Sequence, residues 1–134
     1  VKGNGVWEKF YNYKIKLEDG SYKDTVFVIE STSFKDNKLN GPYVSKDDKG
    51  QIKSSGSYSF GKKNGEWFYY NDSGNISQVE NYDNGLLEGD FKHYFENGED
   101  IKIIGQYSDN EKVGDWFWYF DTNQESSYRQ SYSN

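Results

Sequence analysis

Cysteine, alanine and methionine are absent from this chain, and proline and histidine occur once each. Without cysteine there are no disulfides and no thiolate metal sites. That suits a reducing cytosol and equally an exported protein that does without staples. Leu, Ile, Val and Phe together supply only 27 of the 134 residues, so the aliphatic volume of a conventional core is missing. Taken alone, such scarcity marks disordered chains. Basic residues are also in deficit: the formal net charge is -6 and the pI about 4.8. Lys62-Lys63 is the only adjacent cationic pair and Arg129 the sole arginine. This balance argues against nucleic acid as a partner and against electrostatic attraction to an anionic bilayer, both of which need a basic footprint. No apolar run is long enough for a signal or membrane segment. The start at Val1 in place of Met is what a processed chain has, removal of an export signal being one route to it. An exported or envelope location is therefore the expectation set beside a cytoplasmic one.

What the chain does have is rings. Its 4 Trp, 13 Tyr and 9 Phe can each bury roughly 150–250 Å², so aromatic packing replaces aliphatic packing and the chain folds. The rings are also periodic. A unit Tyr/Phe-x-x-Gly/Asn-x-x-x-Gly-x-aromatic recurs as Phe34-Asn37-Gly41-Tyr43, Tyr58-Gly61-Gly65-Trp67, Tyr82-Gly85-Gly89-Phe91 and Tyr107-Asn110-Gly114-Trp116, with a truncated start at Gly5 and Trp7. The junction glycines Gly5, Gly41, Gly65, Gly89 and Gly114 lie 36, 24, 24 and 25 residues apart. The first unit thus carries a 12-residue insertion, within 14–33. Fixed periodicity of this kind is the mark of a repeat architecture. Gly50, Gly74, Gly98 and Asn123 punctuate the units a second time, and the exchange of Gly for Asn at 61/110 and 98/123 marks left-handed turn positions.

Short strands are expected between these points: Glu66–Tyr70, Ile76–Tyr82, Phe91–Phe95, Ile101–Tyr107 and Trp116–Phe120. With no connection long enough for a crossover helix, the strands form an antiparallel meander. The expectation is an all-β fold, an elongated single-layer sheet of about five tandem β-hairpin repeats spanning 1–134. The units start near 5, 41, 65, 89 and 114, the insertion forms longer strands or a flap, and 125–134 forms a C-terminal cap. The aromatic two residues past each junction glycine (Trp7, Tyr43, Trp67, Phe91, Trp116) points to one face as a packing spine. By parity Phe10, Lys46, Tyr70, Tyr94 and Tyr119 point to the other. Both ends of the sheet are open edges that little proline protects, so edge-to-edge self-association is a further expectation.

The strings Asn64-Gly65-Glu66-Trp67-Phe68-Tyr69-Tyr70, Tyr82-Asp83-Asn84-Gly85-Leu86-Leu87-Glu88-Gly89-Asp90-Phe91 and Tyr94-Phe95-Glu96-Asn97-Gly98 resemble the bacterial variant of the MORN (membrane occupation and recognition nexus) repeat. The likeness covers about residues 34–123. It implies a hairpin-repeat fold, no catalytic residues, and roles of three kinds: scaffolding, membrane contact, and an antitoxin role by family analogy alone.

Candidate chemistry is sparse. His93, in Phe91-Lys92-His93-Tyr94-Phe95, has no partners at triad or metal-site spacing and reads as structural or exposed. The acids cluster near turns (Asp47-Asp48, Asp72, Asp83, Glu96, Glu99-Asp100, Asp109, Asp121) and read as solvated turn formers. Gly61-Lys62-Lys63-Asn64-Gly65 lacks P-loop spacing. Runs of rings at Trp67–Tyr70 and Trp116–Phe120 cannot all be buried in one layer, and exposed aromatics mark interaction surfaces. The ligand-binding candidates are therefore Trp67, Tyr69, His93, Trp116 and Trp118. The expected function is a non-enzymatic binding or scaffold module for protein–protein contact through an aromatic sheet face, with no metal and no cofactor. The alternative is a glycan, choline or lipid-headgroup binder at the envelope.

Overall fold

The computed structural model describes residues 3–133, and the side chains among them except those of residues 11, 13 and 25–29. Twelve strands follow one another: β1 (Gly5–Lys16), β2 (Tyr22–Lys35), β3 (Lys38–Lys46), β4 (Ile52–Ser59), β5 (Lys62–Lys63), β6 (Gly65–Tyr70), β7 (Ile76–Asp83), β8 (Leu86–Leu87), β9 (Gly89–Tyr94), β10 (Ile101–Ser108), β11 (Glu111–Tyr119) and β12 (Ser127–Tyr132). They form one antiparallel sheet in the order β1-β2-β3-β4-β6-β7-β9-β10-β11-β12, with β5 on β4 and β8 on β7. The ends do not meet, so the sheet is open and not a barrel. The insertion in the first unit is taken up as strand length: β1 and β2 have 12 and 14 residues, paired from Gly5↔Phe34 to Lys16↔Tyr22. Residues 127–132 are a full strand on β11.

Two kinds of turn alternate along the chain, and each has its own chemistry. At the hairpin tips both central residues have positive φ: Asp36 and Asn37 (52° and 64°), Phe60 and Gly61 (47° and 87°), Asn84 and Gly85 (48° and 89°), Asp109 and Asn110 (50° and 70°). These are type I′ turns, whose twist matches that of the strands they join. Phe60 is the exception in composition, since a bulky residue pays a steric cost in this region. The connections at the other end of the strands are wider loops organised by a side-chain oxygen. Asp47 Oδ1 accepts from the Lys49 and Gln51 N–H groups at 2.9 Å each, and Asn71 Oδ1 from those of Ser73 and Asn75 at 3.0 Å each. In the last of these loops the left-handed residue is Gln124 (φ 59°), not Asn123. The sequence rule therefore misses by one residue where the spacing lengthens.

Successive units are joined by a bond pattern that repeats with them. The N–H of the second tip residue reaches the carbonyl two places before the junction glycine of the preceding unit: Asn37 to Gly3 at 2.9 Å, Gly61 to Leu39 at 2.7 Å, Gly85 to Lys63 at 2.8 Å and Asn110 to Leu87 at 3.0 Å. The first tip residue donates its N–H to the side chain immediately before that glycine: Asp36 to Asn4 (2.9 Å), Phe60 to Asn40 (3.3 Å), Asn84 to Asn64 (3.2 Å) and Asp109 to Glu88 (3.0 Å). Backbone groups left over by the turns are thereby satisfied by the neighbouring repeat.

Candidate functional site

One face of the sheet is built around two equivalent aromatic boxes. In the first, ring centroids lie 5.4 Å apart for Tyr43–Tyr58, 5.3 Å for Tyr43–Trp67, 5.1 Å for Tyr58–Trp67 and 6.5 Å for Trp67–Tyr82. In the second, Phe91–Tyr107, Phe91–Trp116, Tyr107–Trp116 and Trp116–Tyr132 are 5.7, 5.3, 5.0 and 6.4 Å apart. The near-identity reflects a superperiod of two repeats. Each tryptophan lies on a glycine of the preceding strand: a Cβ at Gly56 would come 2.4 Å from Trp67, and one at Gly105 2.1 Å from Trp116. Each indole N–H donates at 3.1 Å to a backbone carbonyl, Trp67 to Ser57 and Trp116 to Gln106. Trp67 and Trp116 are the buried apolar side chains among the described residues.

Each box already holds a cation. The Lys63 ammonium stands 4.4 Å from the Trp67 ring centroid, 5.0 Å from Tyr82 and 5.5 Å from Tyr69, and donates to the Tyr69 hydroxyl at 2.8 Å. Lys112 stands 4.4 Å from Trp116, 5.3 Å from Trp118 and 5.6 Å from Tyr132. Leu39 and Leu87 occupy the matching position in the other two units, across from Phe34 and Tyr82 as Lys63 and Lys112 are across from Tyr58 and Tyr107. Burial and then Glu30 push the Tyr43 phenol up to about 12, and burial and then Glu80 do the same to Tyr82. Burial raises Tyr69 as well, again with Glu80 beside it.

All five candidate ligand residues sit on this face. Trp67 and Trp116 are buried core residues, 2% and 1% exposed, so they support the box and do not offer a surface. Tyr69 is engaged with Lys63, and Trp118 lies 5.5 Å from the exposed Tyr128 ring. His93 pairs with Gln78 and Ile103, and its Nδ1 is buried without a hydrogen-bond partner. Burial, then the Lys102 charge, hold its pKa below the usual 6.5. Trp7, the first member of the predicted spine, is exposed.

The opposite face has a different composition, arranged in rows across the strands. A central row runs Ser55↔Phe68↔Val79↔Lys92↔Ile104↔Phe117↔Arg129. On one side of it lie Tyr70↔Ile76, Tyr94↔Ile101 and Tyr119↔Ser127. On the other lie Glu66↔Asn81, Asp90↔Gln106 and Asp115↔Ser131. The three carboxylate residues are exposed, and a shallow depression of about 170 Å³ is lined by Glu66, Phe68, Val79, Asp90, Lys92 and Tyr94, with Asn81.

The chain matches no family model and no curated protein. The site therefore has to be read from its own geometry. Asp47 and Asp72 both face Lys53, at 3.7 and 2.6 Å, and tie one loop to the next. Among the described residues no group of three or more His, Asp or Glu side chains is placed to hold a metal ion. Sequence reasoning missed three things: the asparagines that join repeats, the glycines beneath the tryptophans and the lysines in the boxes. Asn-Gly at 4–5, 40–41 and 64–65 was a readable signal for the first, and an isolated glycine inside a strand pattern for the second. Lys63 and Lys112 share a place in the repeat, two residues before Gly65 and Gly114 where the other units have Leu39 and Leu87, but that place alone does not show that the ammonium lies over the rings.

Proposed function

We propose that the chain is a non-enzymatic binding or scaffold module that holds a protein partner on the aromatic sheet face carrying Phe68, Tyr70, Tyr94, Phe117 and Tyr119. What carries the reading is the division of labour between faces. One uses its rings in its own core and on its own lysines, while the other turns a row of half-exposed tyrosines and a row of exposed carboxylates outward. A protein surface that combines half-exposed tyrosines with a charged rim is the composition of a protein interface. The likeness to MORN-variant repeats is compatible with scaffolding and adds no residue-level support.

The alternative, a quaternary-ammonium or glycan binder, requires open ring-lined slots. Both cation boxes are filled from within the chain, so a choline-like ligand would have to displace a tethered lysine. The test is photo-cross-linking from benzoylphenylalanine at Tyr70, Tyr94 or Tyr119, compared with Tyr128 on the opposite face, in extract of the native host. The expected outcome is a discrete protein adduct from the first three positions and none from Tyr128. Adducts from Tyr128 alone, or saturable tryptophan quenching by choline, overturn the reading.

A further inference from the structure

Resting on that reading, we infer the class of partner: an amphipathic α-helix that lies along the ribbon, across the strands, with lysine or arginine at every seventh position facing Glu66, Asp90 and Asp115.

A sheet face accepts different partners from a sheet edge. β6, β7, β9, β10 and β11 are each paired on both sides in the sheet, so an extended peptide laid on this face finds no strand to pair with and buries its own N–H and C=O groups unsatisfied. A helix satisfies its backbone internally and presents only side chains. Dimensions agree with this choice. The rows Glu66–Phe68–Tyr70 and Asp115–Phe117–Tyr119 each take three side chains from one strand, a width of roughly 13 Å at about 3.3 Å per residue. A helix with its side chains is about 10–12 Å across.

The period agrees too. Glu66, Asp90 and Asp115 stand on β6, β9 and β11, alternate strands of the sheet order. Neighbouring strands are about 4.8 Å apart, so the carboxylates recur at roughly 10 Å along the ribbon. Seven helical residues advance about 10.5 Å. A seven-residue cationic period therefore stays in step with the carboxylates over their full span, while the helix lays its apolar stripe on Phe68, Val79, Ile104 and Phe117.

Charge gives the pairing its sign and its gradation. The net charge of -6 favours a cationic partner at long range. The rungs are not equal, however. Asp115 already has the Arg129 guanidinium at 3.7 Å and the Ser131 hydroxyl against it, and Asp90 accepts from the Gln106 amide at 3.0 Å. Among the described hydrogen bonds and ion pairs Glu66 has no side-chain partner. Lys92 interrupts the central row between Val79 and Ile104, where it faces the partner's apolar stripe and favours one acidic residue there. That residue fixes which way the helix runs.

The probe is a synthetic helical peptide with lysine at every seventh position beside a leucine stripe. It is compared by fluorescence anisotropy with a peptide of the same composition and helicity whose lysines are spaced every fifth position. The full chain binds the first peptide and discriminates against the second. Glu66→Lys and Asp90→Lys each weaken binding by about fivefold and Asp115→Lys by less, with circular dichroism unchanged because all three positions are exposed. Equal affinity for the two peptides, no binding of either, or indifference to Glu66→Lys and Asp90→Lys overturns the helix assignment. If that happens while Tyr94 still cross-links a protein, the face reading survives and only the helix is lost. If Tyr94 cross-links nothing, the face reading falls with it.

Discussion

At the scale of single residues, Trp67 and Trp116 can be buried in a one-layer sheet because the strand beneath each supplies a glycine and no side chain. Gly105 has no positive φ to explain it. It is there because a Cβ would sit 2.1 Å from Trp116 Cδ2. Gly105→Ala should therefore displace the indole and lower stability by about 3 kcal/mol in a urea titration, the upper range for overpacking. An unchanged midpoint would mean the ring rests elsewhere. His93 gives a second residue-scale prediction. Burial, and then Lys102, hold its folded pKa below 6.5, so the unfolded chain takes up a proton first. Its contribution is present above pH 6.5 and is lost as pH falls below that value. His93→Gln should flatten the fall in melting temperature between about pH 6.5 and about pH 5, where most carboxylates are still ionised. The alternation of ring positions was legible because each ring follows a glycine at fixed spacing. The lysine partners were not, since ammonium-over-ring geometry depends on which residue the hairpin tip brings across from Tyr58 or Tyr107, a matter of register.

At the scale of elements, the hairpins were legible in outline, although the expected Trp116–Phe120 starts five residues later than β11 (Glu111–Tyr119) and Phe91–Phe95 starts two later than β9 (Gly89–Tyr94). The expected Ile76–Tyr82 and Ile101–Tyr107 differ from β7 and β10 by one residue at one end. Glycine and asparagine mark φ sign, and φ sign places the turns. The loop at 120–126 escaped the rule because an additional residue lets Gln124 take the left-handed position that Asn123 was expected to hold. Phe60 escaped it differently, occupying a left-handed site that its neighbours in the series give to Asp or Asn. Phe60→Asn should relieve that backbone and raise the thermal midpoint, by about 0.5–1 kcal/mol in stability. The link between repeats is also element-scale. Asn64 accepts the Asn84 N–H at 3.2 Å, and Asn64→Ala should cost about 1 kcal/mol. In hydrogen exchange the loss should be concentrated at the tip containing Asn84 and Gly85, and uniform loss across the sheet would argue against a local link.

At the scale of the whole molecule, the sheet is a linear stack in which each unit touches its neighbours, so its two faces extend without interruption and can take different roles. One face assembles the fold through two copies of the same aromatic box, each closed by the chain's own lysine. The other repeats an acid, a central side chain and a tyrosine at every second strand, and offers them outward. Composition alone indicated that some rings had to be exposed. Alternation along the strands already put Trp67 and Trp116 on one face and Tyr70 and Tyr119 on the other, but both faces read as aromatic, and only the packing shows that Trp67 and Trp116 are the buried ones. The most direct test is an ¹H–¹⁵N NMR titration of the full chain with the seven-residue-period peptide, following the tryptophan indoles alongside the backbone. Shifts should concentrate at Glu66, Phe68, Tyr70, Asp90 and Tyr94, while the Trp67 and Trp116 indole signals, held by Ser57 and Gln106, stay in place. Large indole shifts with a quiet tyrosine face would contradict the account and return the binding site to the aromatic boxes.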